Sequence, residues 1–305
     1  MTINQHLTTF GGFQVRSWEP GKPLNHLDTA IYRISVEYDD ETSWPEKFQA
    51  YLNTEGAAQS RGLVVGMWGT DSEESADDAM SALLSAKDQL PLLEAIFFGD
   101  IISEENEISW IYNTDHGPLF QAYPDLKHYG ARGGNGLRFS GLSAPKLQTL
   151  LVQTGALDVE TLRDILGANL PELNHLELYF GSENYGANIE IADLTPLFEG
   201  SLFPKLTYLG LKNAENQDEI AQVVVNSPIL ARLEVLDLSL GILSDEGGQA
   251  LLASADRLAH LKKLDLHHHF MTDSMQEQLQ NLAPEVDLSD AEDPEDDWRF
   301  VSISE

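Results

Sequence analysis

Four segments of this chain, "LPELNHLELYFG", "FPKLTYLGLKN", "LARLEVLDLSLG" and "LAHLKKLDLHHH", carry the same spacing of leucines. The L-x-x-L-x-L frame falls on Leu173, Leu176 and Leu178; Leu206, Leu209 and Leu211; Leu233, Leu236 and Leu238; and Leu261, Leu264 and Leu266. Looser copies stand at Leu93, Ile96, Phe98, at Leu126, Tyr129, Ala131 and at Leu147, Leu150, Val152. Ile31, Ile34 and Val36 extend the frame toward the N-terminus, Val65 with Met67 fits its second half, and Val286 with Leu288 continues it at the far end. Anchored on its middle position, the series runs Ile34, Val65, Ile96, Tyr129, Leu150, Leu176, Leu209, Leu236, Leu264, Val286, at intervals of 21 to 33 residues. The x-L-x-L-x core alternates with period two, so its leucines face one side of a strand and the x residues the other. One such unit cannot bury its own apolar face; stacking neighbours makes a continuous core.

The intervals and the motif are those of leucine-rich repeats, and they predict an α/β solenoid, a horseshoe with about ten parallel strands on the concave face and helices on the convex face. The returns agree. Residues 71–90 and 247–261 place apolar residues at helical spacing, and Ser244 stands where an N-cap belongs. Pro91, Pro124, Pro145, Pro171 and Pro204 each fall two residues before the first leucine of a unit, where a helix must stop. The return between Tyr129 and Leu150 is short and glycine-rich, which predicts an extended turn. Residues 1–30 are expected to form an N-terminal cap, with Phe10, Phe13 and Trp18 over the first layer, and residues 31–290 the solenoid. Residues 291–305 are expected to make an acidic turn and a capping strand through Trp298, Phe300, Val301 and Ile303.

The "LSDEGGQALLAS" and "LDLS" stretches resemble ribonuclease-inhibitor-type leucine-rich repeats. Through the closing "EVDLSD" and "WRFVSISE" the whole chain resembles a small, uncharacterised bacterial family of such proteins. That resemblance implies a helical convex side and a habit of binding other proteins. The chain departs from the type after the strand, where Gly155, Gly181, Gly241 and His269 replace the family's asparagine or cysteine.

Charge narrows the partners. Against 18 Lys and Arg stand 50 Asp and Glu among 305 residues, a formal charge of −32. Nucleic acid and anionic membranes both require a basic surface, so neither is an expected partner. The start lacks a basic, then apolar leader. No apolar run approaches the roughly 18–20 residues of a membrane span. Zero cysteines remove disulfide and thiol chemistry and fit a cytoplasmic protein. There is no G-x-S-x-G and no H-E-x-x-H, so no catalytic residue is nominated and the chain is read as non-enzymatic, without a cofactor. The glycine-rich "GARGGNG" does not match a phosphate loop, and the acids of "SEENEISW", beside Asp100, fit a helix start.

On this fold function sits on the outward residues of the sheet. Counting from the anchors, the central column reads Ser35, Gly66, Phe97, Gly130, Leu151, Glu177, Gly210, Asp237, Asp265, Asp287. The next column carries Trp68, Arg132, Tyr179, Lys212, Ser239 and His267, and the preceding one Arg33, Val64, His128, His175, Tyr208 and Lys263. A partner protein, one with a basic or aromatic segment, is therefore expected to meet Trp68, Phe97, Arg132, Tyr179, Tyr208, Lys212, Asp237 and Asp265. The protein itself is expected to be a monomer. The alternative is a metal- or small-molecule-binding accessory protein with Asp237, Asp265, His267 and Asp287 as ligands. Three carboxylates on adjacent strands, roughly 4.8 Å apart, repel unless a cation intervenes, and Lys263 and His267 stand where they can supply it. His268 and His269 leave that face and are expected to bond turn backbone.

Overall fold

The repeat leucines are where the alternation puts them: Leu176 and Leu178, Leu209 and Leu211, Leu236 and Leu238, and Leu264 and Leu266 are all fully buried. The computed structural model describes residues 2–71 and 73–304, so residues 1, 72 and 305 of the expected caps and helix lie outside the described residues. Two compact units are formed, one of residues 2–153 with 167–171 and one of residues 154–166 with 172–304.

The first unit holds strands β1 (Thr9–Phe10), β2 (Phe13–Ser17), β3 (Ala30–Ile34), β4 (Gly62–Val65), β5 (Ala95–Phe98), β6 (His128–Arg132) and β7 (Thr149–Gln153). From β2 onward each pairs in parallel with the next. Helices α1 (Trp44–Leu52), α2 (Asp77–Ser85) and α3 (Gly117–Ala122) lie in the returns. Helix α1 starts at Ser43, whose amide donates to Glu46 Oε2 at 2.9 Å, with Pro45 in its first turn where no amide is needed. Between β6 and β7 there is no helix; single bridges such as Tyr112 to Asn135 hold the expected extended turn.

The second unit holds α4 (Val159–Leu166), β8 (His175–Gly181), α5 (Thr195–Phe198), β9 (Tyr208–Ala214), α6 (Gln217–Val224) and β10 (Val235–Asp237). These are followed by α7 (Asp245–Ala253), α8 (Ala255–Leu258), β11 (Lys263–Asp265), α9 (Asp273–Leu279) and β12 (Glu285–Asp287). Its strands also pair in parallel and in order. Ser244 caps α7 by accepting from the Glu246 amide, and Thr272 caps α9 by accepting from that of Met275. All ten anchors lie in strands, β3 to β12. This is a leucine-rich repeat solenoid of α/β class, with the hairpin β1–β2 added before the first repeat.

Three expectations need correction. The first is register. Tyr32 pairs with Leu63 and Leu63 with Ile96, so Ile34 and Val65 stand level with Phe98, two residues beyond the frame read from sequence. Strands β3, β4 and β5 are buried on both faces, and there the alternation that fixes register disappears. The central outward column therefore begins Arg33, Val64, Phe97, and Ser35 and Gly66 belong one column on.

The second concerns the N-terminal cap. Strand β2 does pair along the edge of β3, and Trp18 packs edge-on against Tyr51 of α1. Phe10 and Phe13, however, do not cover the end of the core. They cluster with Ile31, Val64, Ala95 and Phe97 on the outer face of the sheet. The hairpin turn at Gly11 (φ +57°) lies so close that a Cβ there would be 3.0 Å from Ala95 Cβ, which only glycine relieves.

The third is the C-terminal strand. Residues 300–303 form none; Trp298 is 84% exposed, while Val301 and Ile303 are buried. The tail runs instead over the strand exits, where Asn213, Leu240 and His268 all have positive φ. His268 Nε2 bonds Phe300 O, the Ser302 amide donates to Leu240 O at 2.8 Å, and Asn213 exchanges two bonds with Ile303. The Asn213 and His268 side chains and the Leu240 carbonyl thereby pair with backbone groups of the tail, which forms no strand of its own.

Candidate functional site

In the first unit the outer face carries a closed ionic cluster. Asp100, fully buried, lies at the exit of β5; Arg33 Nε is 3.3 Å from its Oδ2 and Arg132 Nη1 3.5 Å from its Oδ1. Arg33 also bonds Glu105 at 2.7 Å. Arg132 donates to Ile101 O at 2.6 Å and Gln153 Oε1 at 3.0 Å, and its guanidinium lies over Phe97. Residues 3–13 cover all of this. The Leu7 amide points at Asp100 (3.2 and 3.3 Å), and His6 sits 3.5 Å from both Asp100 and Glu105.

Three nominated partner residues are thereby withdrawn from solvent. Phe97 meets Phe10 edge-on at 5.3 Å, and Arg132 is buried among the groups just named. Trp68 is not on the outer face at all. It lies past the end of β4, packs on Phe98 and donates to Glu74 O at 2.9 Å. Sequence reading also missed Asp100 and Glu105 as counter-ions, taking them for helix-start acids. The available signal was Arg33, a cation in the middle of an apolar strand, which needs a buried partner.

The second unit leaves the same face more open. His175 and Tyr208 stack at 3.8 Å on neighbouring strands. His175 Nε2 bonds Glu177 at 2.7 Å, and Tyr208 donates to Asp237 Oδ2 at 2.7 Å. Lys212 lies 2.8 Å from Asp237 and 3.6 Å from Glu177, with its ammonium over the Tyr179 ring. Burial alone would lower the Lys212 pKa; the surrounding Tyr179, Asp237 and Glu177 outweigh it and raise it. Tyr179, Lys212, Asp237 and Asp265 are buried by these contacts, while Tyr208 is half-buried.

Beside them Asp265 accepts from Lys263 (3.0 Å) and from His267 Nδ1 (2.6 Å). Burial pushes the Asp265 carboxyl up, but the bonds from His267 and Lys263 carry it well below the usual carboxylate range. The bond to Asp265 raises the His267 pKa against its own desolvation. Lys263 also reaches Glu285 (3.5 Å) and Asp287 (3.7 Å), and Ser289 holds Asp287 at 2.7 Å. One ligand atom each from Asp265, His267 and Asp287 lie within 4.8 Å of one another. Asp237 is not among them, because Lys212 and Tyr208 turn its carboxylate away. The Lys263 ammonium already takes the position between Asp265 and Asp287 that a metal ion would use.

The remaining histidines are turn residues, as expected. His269, in the position of the family's asparagine, bonds Leu288 O and accepts from the Met271 amide. His268 faces Phe300 O and Glu292.

Parallel strands in register, buried repeat leucines and helical returns define a leucine-rich repeat protein. A protein from Bacteroides fragilis, known from its crystal structure, is 31% identical with a TM-score of 0.82, over 89% of this chain and 76% of that one. The chain belongs to the leucine-rich repeat family of that protein. An internalin from Listeria monocytogenes (13% identity, 86% and 74% coverage, TM-score 0.36) is more distant. The same holds for the leucine-rich repeat-containing protein LegL7 from Legionella pneumophila (17%, 90% and 89%, 0.47). No family model and no curated protein matches the chain. Among the described residues no helix is long and apolar enough to cross a membrane.

Proposed function

We propose that this chain is a non-catalytic protein-interaction module and that the outer face of β8–β12 docks a partner segment bearing basic side chains. The observation that carries this reading is the exposed Glu285 beside the half-exposed Asp287 on β12, at the end of the row begun by the buried Asp237 and Asp265. Lys263 alone spans Asp265, Glu285 and Asp287, so the outermost acids keep acceptor capacity for an incoming ammonium or guanidinium. The His175–Tyr208 stack supplies a flat, half-buried platform next to it, of the kind that anchors interfaces. A divalent ion on Asp265, His267 and Asp287 is the second reading, favoured by their convergence but requiring Lys263 to move aside.

The test is selection of lysine- and arginine-bearing peptides on the purified protein. Glu285→Lys with Asp287→Lys should abolish binding of the selected peptides. Asp256→Lys with Glu277→Lys, on exposed helical positions, changes net charge equally and should leave binding within about threefold once salt screens long-range attraction. Equal loss in both pairs would reduce the effect to bulk charge and sink the reading.

A further inference from the structure

In the first unit the short strand β1 closes the edge of β2. In the second, β12 is the last strand, and among the described residues no strand pairs with its far side. We propose that this free edge accepts a strand of the partner, one whose side chains alternate basic and apolar. Strand addition rests on the reading above, that β12 meets a basic segment, and fixes how that segment binds.

The apolar layer is unfinished at β12. The anchors of β3 to β11 are all fully buried, but Val286 of β12 is only half-buried. Leu288 is half-buried too, where its counterparts Leu238 and Leu266 are inaccessible. The tail gives no cover there, because it runs over the strand exits. The backbone is unfinished in the same place. The Leu266 amide donates to Asp287 O and the His268 amide to Ser289 O, both at 2.9 Å. Asp287 and Ser289 thus turn their backbone groups to β11, and the alternate residues of a strand turn theirs the other way. Val286 thereby directs its N–H and C=O to the open side, while Leu288 O is approached by His269 Nε2 at 3.3 Å.

Charge selects the occupant. Glu285 and Asp287 flank Val286 on the outer face, and Asp290 follows, exposed. Lys263 reaches the first two only at 3.5 and 3.7 Å. A second copy of this edge would set the same acids against each other, and like charges facing across a strand pair destabilise it. The acids therefore blunt the edge toward its own kind and leave it open to a basic strand. Such a strand places its basic side chains beside Glu285 and Asp287 and its apolar ones over Val286 and Leu288. Its backbone completes the pairing of Val286.

The probe is a blocked peptide of about eight residues alternating lysine and valine, titrated into the full chain. Two further versions carry N-methyl groups on every valine or on every lysine; each blocks one edge of the peptide and keeps its charge. We expect one version to bind at least about tenfold more weakly than the parent and the other to bind like it, since a docked strand uses one edge. Val286→Pro, tolerated where an N–H faces outward, should weaken the parent peptide about tenfold. Should that variant misfold, hydrogen exchange on the wild type decides: the peptide should slow the Val286 amide at least about tenfold. Equal behaviour of the two methylated versions, or an unprotected Val286 amide at saturation, overturns strand addition. If binding is still lost in Glu285→Lys with Asp287→Lys, the outer-face reading survives that failure; if no basic peptide binds, both fall. A dimer of the free chain that the peptide does not dissociate also overturns the proposal, making a second copy the occupant.

Discussion

Both units build an ionic cluster on the outer face of parallel strands, yet one is sealed and the other open. In the first, Arg33, Arg132, Asp100 and Glu105 lie under the chain's own N-terminal residues. In the second, Lys263, His267 and Asp287 remain half-exposed around Asp265, which their bonds bury. The same residue types therefore do different work. Under that cover, removing one charge strands its partners in a medium that cannot solvate them, so the cluster governs stability. On the open face water screens each pair, and the cluster retains its capacity to trade one internal cation for a partner's.

The largest effect should come from the sealed side. Asp100→Ala leaves Arg33 with Glu105 and the carbonyl of residue 100, removes the Asp100 carboxylate from beside Arg132, and frees the Leu7 amide. Loss of one member of a buried cluster costs about 3–5 kcal/mol, readable as a lowered midpoint in urea unfolding. A loss under about 1 kcal/mol would mean that water already reaches the cluster, and the distinction between the faces would fail. The open counterpart is Asp265→Asn, which keeps the shape and removes the charge shared by Lys263 and His267. Its cost should be about 1 kcal/mol. A neutral or stabilising result would show instead that repulsion along Asp237, Asp265 and Asp287 dominates the column.

How much of this contrast was legible in the sequence follows from the physics of each part. The repeat strands β6–β12 were readable because one face is apolar and the other polar, and period two then fixes both register and facing. In β3 and β4 both faces are buried, so the run "LVVGMW" offered two registers of equal parity, and Trp68, three residues past the end of β4, was counted as a strand residue. The column Asp237, Asp265, Asp287 was read correctly, as were Lys263 and His267 as its compensation. Its departure, the separation of Asp237 from the other two, depends on where Lys212 and Tyr208 extend, which spacing does not encode. The N-terminal segment and the C-terminal tail were illegible for a further reason. Their partners are single side chains, Asp100 and Asn213, about 90 residues away, with no periodicity linking them.

The smallest effect is also the most specific to the open face, because it isolates one proton. His267 gains its proton affinity from Asp265, with Asp237 adding to it and burial and Lys212 opposing it. A group whose folded pKa is raised stabilises the fold fully below its unfolded value, near 6.5, and loses that share as pH climbs through the folded value. Asp265 works in the opposite sense: its depressed pKa contributes above its ordinary value of 3.8 and is lost only under stronger acid. The pair is thus at full strength between those two values and weakens toward alkaline pH through His267. His268 and His269, both pushed down by burial, lose stability as pH falls below 6.5, which would mask the effect in the wild type alone. Comparing wild type with His267→Asn cancels His269 and all but a minor part of His268, which His267 lowers slightly. The difference in unfolding free energy should be about 0.5–1 kcal/mol at pH near 5.5 and vanish by about pH 9. A difference that grew with pH would mean that His267 is held neutral, and that its Nδ1 proton serves Asp265 as an uncharged donor.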